Sequence, residues 1–279
     1  MNILTFDIED WYCHDNISGD MEWSKFESRI EENVDKILEE LSNRNQKATF
    51  FCLGWLAEHK SATIKCISDN GHQIGCHSYQ HELASRFDAK GFKEDTYRAK
   101  SSIEDLIGKS IELYRAPAFS ITPENPYAIE VLAELGFTTD CSIFPSMRDF
   151  GGMPNFGVAE PVIIEHNGIQ MKEFPMNIST LLGRNIIFSG GGYFRLLPYA
   201  LIKKLTTESS YVMTYFHPSD FDFEQPSMPH LPKLRQWKNQ VGLKSAFDKL
   251  KKYLDDFEFI NLDIADSLID WKTRRIIKI

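Results

Sequence analysis

The chain has 279 residues, of which 42% are hydrophobic and 25% are charged, a composition that predicts one large globular domain. Its 31 Lys and Arg against 40 Asp and Glu give a formal net charge of -9, which argues against a broad nucleic-acid-binding surface. Apolar segments all fall short of the roughly 20 residues that a transmembrane helix needs, and the 5 cysteines contain no CxxC pair, which favours reduced thiols.

Short apolar segments alternate with helical patterns along the chain, as in parallel strands joined by helices. The predicted strands cover residues 2–8, 47–53, 72–76, 111–115, 138–143, 211–216 and 258–262. Apolar side chains at helical spacing predict helices at residues 34–41, 125–135 and 243–254. About seven parallel strands of this kind predict a distorted (β/α) barrel, with an open doubly wound α/β sheet as the alternative.

The alternation is interrupted at residues 153–195. Apolar segments at residues 162–165 and 170–174 flank Asn167-Gly168, a pattern that predicts a β-hairpin, and three glycines at residues 190–192 predict a loop. We therefore expect a single domain over residues 1–279, with a hairpin and Gly-rich insertion around residues 150–197 and a C-terminal helical tail.

Polar side chains stand where several of the predicted strands end. They are Asp7, Glu9 and Asp10 on the first strand, His77 and His81 after the third, Arg115 on the fourth, Asp140 on the fifth and His217 after the sixth. In a parallel barrel these strand ends meet at one rim, which is the rim where active sites are built. We therefore expect these side chains to face one another.

His77 and His81 are four residues apart, so a helical turn would place both imidazoles on one face, toward one metal ion. A carboxylate from residues 7–10 would complete a set of two histidines and one acid, which is typical of a catalytic metal site. The sequence therefore predicts a divalent cofactor, with Zn²⁺ favoured and Co²⁺ or Ni²⁺ able to replace it.

Five short motifs follow one another in the order of a known family. They are Thr5-Phe6-Asp7 with the acids after it, His77-Ser78-x-x-His81, Tyr114-Arg115-Ala116-Pro117, the Asp140 strand and Tyr215-Phe216-His217. Over residues 1–218 the chain thereby resembles the polysaccharide deacetylase family, also called the NodB homology domain or carbohydrate esterase family four. Asp7-Ile8-Glu9-Asp10-Trp11 and the Gly-rich residues 190–198 are most similar to the branch associated with bacterial exopolysaccharide biosynthesis.

The resemblance implies a metal-dependent hydrolase that removes N-acetyl groups from an amino-sugar glycan and releases acetate. It implies that Asp7 is the general base, that Arg115 orients Asp7, and that His217 is the general acid, tuned by Asp140.

His77 and His81 would bind the metal together with an acid that follows Asp7. The family's adjacent Asp pair is interrupted here by Ile8, so strand alternation favours Glu9 as the third ligand while residue type favours Asp10.

Three aromatic residues are candidates for substrate binding: Phe119 and Tyr215 as an apolar wall for the acetyl methyl group, and Tyr193 in the Gly-rich segment. Where the family has an aromatic residue after Arg-x-Pro, this chain has Ala118 and only then Phe119. Two alternative functions remain open. One is the hydrolysis of cyclic imides or ureides, which needs a closed pocket for a small ring. The other is glycan binding by a relative of the family that has no catalytic activity.

The first strand begins at Asn2, which leaves no room for a targeting segment. We therefore expect a cytoplasmic protein, with peripheral contact to the inner membrane through the basic residues 272–278. The expected partner is an N-acetylated glycan or a lipid-linked sugar.

Overall fold

The computed structural model describes residues 1–13, 22–181, 184–227 and 231–279. Its strands are β1 (Asn2–Ile3), β2 (Thr5–Ile8), β3 (Thr49–Cys52), β4 (Gln73–Cys76), β5 (Leu113–Tyr114), β6 (Thr139–Asp140), β7 (Val162–His166), β8 (Ile169–Glu173), β9 (Ser179–Leu181), β10 (Arg184–Ile186), β11 (Val212–Met213) and β12 (Ile276–Lys278). Its helices are α1 (Ile30–Asn43), α2 (Gly54–His59), α3 (Ser61–Asp69), α4 (Ala89–Ile107), α5 (Tyr127–Glu134), α6 (Gly191–Leu196), α7 (Tyr199–Glu208), α8 (Lys233–Gln240), α9 (Leu243–Asp256) and α10 (Leu262–Ser267).

The main sheet has the strand order β12-β7-β8-β6-β5-β4-β3-β2, and its pairs are parallel except for the β7–β8 hairpin. Beyond β2, the strand β1 pairs in parallel with β11, and Phe6 of β2 forms a parallel bridge with Phe216. Gly190 in turn bridges Tyr215, so the sheet curves past β11 toward the segment before α6. This curved, mostly parallel arrangement is a distorted barrel of the NodB type, as predicted.

The helices cover the sheet through one apolar face each. In α1 the buried side chains include Val34, Ile37, Leu38 and Leu41, while the acidic and basic residues between them face solvent. The predicted helices at residues 34–41, 125–135 and 243–254 are confirmed as α1, α5 and α9. Within the described ranges, no helix combines the length and the hydropathy needed to cross a membrane.

The seventh predicted strand, at residues 258–262, is wrong. Only Ile260 pairs there, as an isolated parallel bridge with Ile3, and the chain then turns into α10. Asn261 causes this change, because its side chain accepts a hydrogen bond from the Ile264 N–H and caps the first turn of the helix.

The predicted hairpin is confirmed as β7 and β8, with Asn167 and Gly168 at φ 49° and 81° in the turn. Strand β8 also pairs with β6, so the hairpin extends the main sheet. The predicted loop at residues 190–192 differs, because Gly191 begins the short helix α6.

A buried histidine just before β4 makes the stability of the fold pH-dependent. His72 is 8% exposed, and its Nδ1 accepts a hydrogen bond from the Ala48 N–H, so the fold requires the neutral ring. Burial, helped by the charge of Lys47, lowers the pKa of His72 to about 4.

The unfolded chain takes up this proton near the ordinary histidine pKa of about 6.5, so stability falls as the pH decreases from about 6.5 toward 4. Between pH 7 and 5, wild type should lose about 1 to 2 kcal/mol more unfolding free energy than His72→Gln, in which an amide oxygen can still accept the bond. Urea denaturation at both pH values measures this, and equal losses in the two proteins would contradict it.

Candidate metal centre and active-site cleft

Asp7, Glu9, His77, His81 and His217 line a cleft of about 490 Å³ at the carboxyl ends of the parallel strands. Glu9, His77 and Arg115 directly follow or adjoin the ends of β2, β4 and β5. The register places Cys76 beside Tyr114, which brings the next residues, His77 and Arg115, together. The sheet itself therefore assembles residues that are about a hundred positions apart in sequence.

Glu9, His77 and His81 form a compact cluster whose ligand atoms all lie within 4.8 Å of one another. One carboxylate oxygen of Glu9 lies 3.0 Å from Nε2 of His77 and 3.1 Å from Nε2 of His81. Burial raises the pKa of Glu9, but the neighbouring His81 and His77 outweigh it and hold that pKa well below its usual range. The carboxylate is therefore an anion facing two imidazoles.

The donor set of this cluster fits a divalent metal ion. Nδ1 of His77 lies 2.7 Å from the Arg115 carbonyl oxygen, which can only accept, so Nδ1 carries the hydrogen and Nε2 presents a lone pair. The second Glu9 oxygen is buried and has no hydrogen-bond partner among the described residues. Two imidazole nitrogens and one carboxylate are the ligands of many catalytic zinc sites.

The predicted helical turn between the two histidines is wrong, although the imidazoles meet with ring centroids 5.4 Å apart. Ser78 and His81 have φ values of 67° and 57°, in the left-handed region. The segment keeps this conformation because the first N–H groups of α2, from Gly54 and Trp55, donate to the carbonyls of Ser78 and Tyr79.

Asp7 and Arg115 form a buried ion pair beside the cluster. Arg115 is fully buried, and its Nη1 donates to Asp7 Oδ1 at 2.7 Å and to the Thr5 hydroxyl at 2.8 Å. The guanidinium carbon lies 4.2 Å from the Phe51 ring centroid, which fixes the arginine from the other side. The pair holds the Asp7 carboxylate in one orientation, close to Glu9 and His217.

His217 is held by Asp220, a residue that the sequence analysis did not single out. Nδ1 of His217 lies 3.0 Å from Asp220 Oδ2, and its Nε2 lies 3.8 Å from Glu9. Arg195 Nε lies 3.2 Å from the other Asp220 oxygen. Burial lowers the pKa of His217, but the Asp220 hydrogen bond and the Glu9 charge outweigh it and raise the pKa to about 9.

Asp140, expected beside His217, lies elsewhere. Its carboxylate is fully buried, accepts a hydrogen bond from Ser142 at 2.5 Å, and faces Glu173 across the β6–β8 pair. Burial raises the pKa of Asp140, and burial together with Asp140 raises that of Glu173. The tuning role proposed for Asp140 is corrected, because the carboxylate in contact with His217 is Asp220.

Asp10, the alternative acid to Glu9, also lies outside the cluster. Its carboxylate accepts hydrogen bonds from the backbone N–H groups of Trp11 and Arg29, at 2.9 Å and 3.1 Å. Of the two candidates, the structure brings Glu9 to the histidines. Asp10 instead ties the end of β2 to the start of α1.

The sequence did contain a signal for Asp220. Pro218 follows His217 and begins a 3-10 turn, Pro218–Phe221, and a proline at this position favours a helical start. Asp220 then lies three residues after His217, where its side chain also accepts the His217 backbone N–H at 3.0 Å.

The three predicted substrate contacts all line the cleft. Phe119 and Tyr215 are buried with ring centroids 5.4 Å apart, which makes them a wall, while Tyr193 is 45% exposed at the rim. Ala118 and Phe119 have φ values of 51° and 56°, so the chain turns sharply where it enters the cleft wall.

Comparison with known families assigns two consecutive segments. Residues 3–139 match the polysaccharide deacetylase family, and residues 141–266 match a domain of unknown function, DUF3473. Asp7, Glu9, both cluster histidines and Arg115 lie in the first segment, whereas His217 and Asp220 lie in the second.

Curated relatives match over short stretches. A Bacillus cereus peptidoglycan-N-acetylglucosamine deacetylase is 33% identical over 82 residues, which are 29% of this chain and 30% of that protein. A Pestalotiopsis chitin deacetylase is 30% identical over 105 residues, 37% of this chain and 34% of that protein. The chain thus spans about a third of the length of these relatives.

Solved structures support the fold. A proposed polysaccharide deacetylase from Mycobacterium smegmatis superposes with a TM-score of 0.67 at 17% identity, over 100% of this chain and 92% of that one. A CE4 family pseudoenzyme from Bacillus anthracis gives 0.50 at 13% identity, over 100% of this chain and 69% of that one.

Proposed function

We propose that the chain, whose residues 3–139 match the polysaccharide deacetylase family, is a metal-dependent hydrolase that removes N-acetyl groups from an amino-sugar glycan. Water cleaves the acetamide C–N bond, acetate leaves, and the sugar keeps a free amine. One observation carries the proposal: an acid-base pair, Asp7 and His217, flanks the Glu9, His77 and His81 cluster inside one cleft.

Glu9, His77 and His81 would hold the metal, which we propose to be Zn²⁺. When bound, such an ion acidifies the attacking water and polarises the acetamide carbonyl. The chain's own residues supply proton transfer and orientation. Arg115 holds Asp7 Oδ1, which leaves Oδ2 to take the proton from the attacking water.

His217 would return a proton to the leaving amine. Because Asp220 binds Nδ1, the imidazole presents Nε2 toward the cluster, and the raised pKa of His217 favours the protonated ring that can donate. The buried wall of Phe119 and Tyr215 would exclude water around the acetyl methyl group.

The proposal is tested by acetate release from a panel of N-acetylated glycans, lipid-linked sugars, cyclic imides and ureides, with and without chelator. We expect chelator-sensitive acetate release from glycans. Turnover of imides or ureides alone would instead indicate a cyclic imide or ureide hydrolase. Glycan binding without turnover would indicate a non-catalytic glycan-binding protein. Exposed Tyr193 and Trp237 along the cleft support a glycan rather than a small ring in a closed pocket.

We also propose that the reaction takes place inside the cell, on a glycan destined for export such as an exopolysaccharide precursor. All five cysteines are free, and four of them are buried, as suits a reducing compartment. Cell fractionation tests this location, and recovery of the active protein from a periplasmic or extracellular pool would contradict it.

The assignment of Asp220 leads to a comparison of two Asp→Asn variants. Asp220→Asn should lower kcat at least about tenfold, because the imidazole loses the acid that fixes its orientation and charge, while KM changes little. Asp140→Asn should lower kcat less, since Asp140 contacts Ser142 and Glu173 instead. Steady-state kinetics on one glycan measures kcat for both variants. A larger loss of kcat in Asp140→Asn than in Asp220→Asn would favour Asp140 as the residue that tunes His217.

A further inference from the structure

The outer part of the cleft carries positive charges that the acids of the reaction centre do not neutralise. Arg148 and Lys238 line the cleft, and neither side chain forms an ion pair within the part of the chain that the structure describes. Two acids of the reaction centre form ion pairs with other arginines: Asp7 pairs with Arg115, and Asp220 pairs with Arg195. The cations therefore remain available to an anion in the cleft.

Arg148 packs against the aromatic wall of the cleft that His217 also lines. Its guanidinium carbon lies 4.6 Å from the Phe144 ring centroid and 6.0 Å from that of Tyr215. The Tyr215 ring is in turn 6.4 Å from the His217 ring. An arginine packed on aromatic rings keeps its planar set of N–H donors for a carboxylate or phosphate, and it loses less conformational entropy when it binds one.

The loop that carries Arg148 is fixed to the cleft wall. The Gly152 N–H donates to the Phe119 carbonyl at 2.9 Å, and the Met153 N–H donates to the Phe144 carbonyl at 2.7 Å. Gly151 allows this approach, because a Cβ atom there would overlap the Phe119 carbonyl oxygen. Arg148 thus projects from an anchored loop.

These observations contrast with the composition of the chain. The net charge of -9 disfavours anionic ligands in general, yet Arg148 and Lys238, which have no ion pair among the described residues, line the cleft together with exposed aromatic side chains. Tyr193 and Trp237, which are 45% and 55% exposed, offer flat apolar faces for sugar rings. A neutral glycan would use these faces and leave the cations without a ligand.

We propose, on the basis of the function proposed above, that the substrate carries an anionic group on the unit next to the N-acetylated sugar. Arg148 binds this carboxylate or phosphate, and Lys238 adds to the positive potential. The anionic group therefore determines substrate preference, because the same glycan without this group would lose the contact with Arg148.

The test uses matched N-acetylglucosamine oligosaccharides in which the neighbouring unit is glucuronate, glucose or glucose phosphate. The readout is the ratio of kcat/KM for each acidic substrate to that for the neutral one. Wild type should prefer an acidic substrate about tenfold or more, chiefly through KM, and high salt should reduce the preference. The better of the two acidic substrates identifies the anion as carboxylate or phosphate.

Arg148→Gln should lower this ratio about tenfold, and Arg148→Lys should lower it less. Lys65→Gln removes an exposed charge on α3, none of whose residues line the cleft, and should leave the ratio at the wild-type value. Equal ratios in wild type and Arg148→Gln would overturn the proposal, as would equal changes in the two Gln variants.

A binding measurement separates this inference from the proposed function. Calorimetry with Asp7→Asn reports the affinity for the acidic and the neutral oligosaccharide without turnover. Tighter binding of the acidic one that is lost in the double variant with Arg148→Gln supports the inference, even if wild type releases no acetate. Equal affinities overturn it, even if wild type is an active deacetylase.

Discussion

Glu9→Gln should abolish stoichiometric binding of a divalent metal and, with it, acetate release. The amide is nearly isosteric but lacks the negative charge that joins the two imidazoles, so we expect metal affinity to fall by at least about 100-fold. Elemental analysis after dialysis against a buffered zinc solution measures the bound metal, and circular dichroism checks that the fold is kept.

Asp10→Asn is the matched control for this experiment, because Asp10 is the neighbouring acid whose carboxylate binds backbone N–H groups away from the cluster. It should retain one metal ion per chain. Full metal content in Glu9→Gln together with loss in Asp10→Asn would reverse the assignment of the third ligand.

Asp7→Asn should lower kcat by at least about 100-fold while the chain still binds its metal. The amide oxygen can accept the Arg115 hydrogen bond, so the site keeps its geometry, but the variant has no carboxylate to take the proton from water. Single-turnover acetate release measures the chemical step, and elemental analysis shows that the metal remains.

Asp149→Asn removes an acid from the exposed rim of the same cleft and controls for the change in local charge. It should keep kcat within about twofold of wild type, as exposed substitutions away from the reacting atoms do. An Asp7→Asn protein as active as this control would exclude Asp7 as the base.

The alternation of strands and helices was enough to predict most of the parallel strands, but not β12, which forms at the edge of the main sheet where a helical tail was expected. The polar strand ends were enough to predict which end of the sheet carries the site. Strand alternation favoured Glu9 and residue type favoured Asp10, and the structure brings Glu9, which follows the end of β2, to the two histidines. These features can be predicted because they follow from local sequence patterns. The patterns are the periodicity of apolar residues and the fact that the carboxyl ends of parallel strands lie at the same edge of the sheet.

The contacts made by Asp140 and Asp220 could not be obtained from such rules. Asp140 faces Glu173 because β8 pairs with β6, and β8 belongs to a hairpin whose place in the sheet no sequence pattern specifies. Arg148 likewise gains its position from the approach of its loop to Phe119. Long-range contacts of this kind depend on tertiary packing rather than on local propensity.

The sheet order has a consequence for the way the two matched segments depend on each other. Residues 3–139 end within β6. The neighbouring strand β8 belongs to the second segment, as does β11, which pairs with β1 at the other side. A chain cut near residue 140 would keep the three proposed metal ligands but expose unpaired backbone along both edges of its sheet, which favours pairing between molecules. We therefore expect the second segment to limit self-association by pairing both edges of this sheet, in addition to contributing His217, the proposed proton donor.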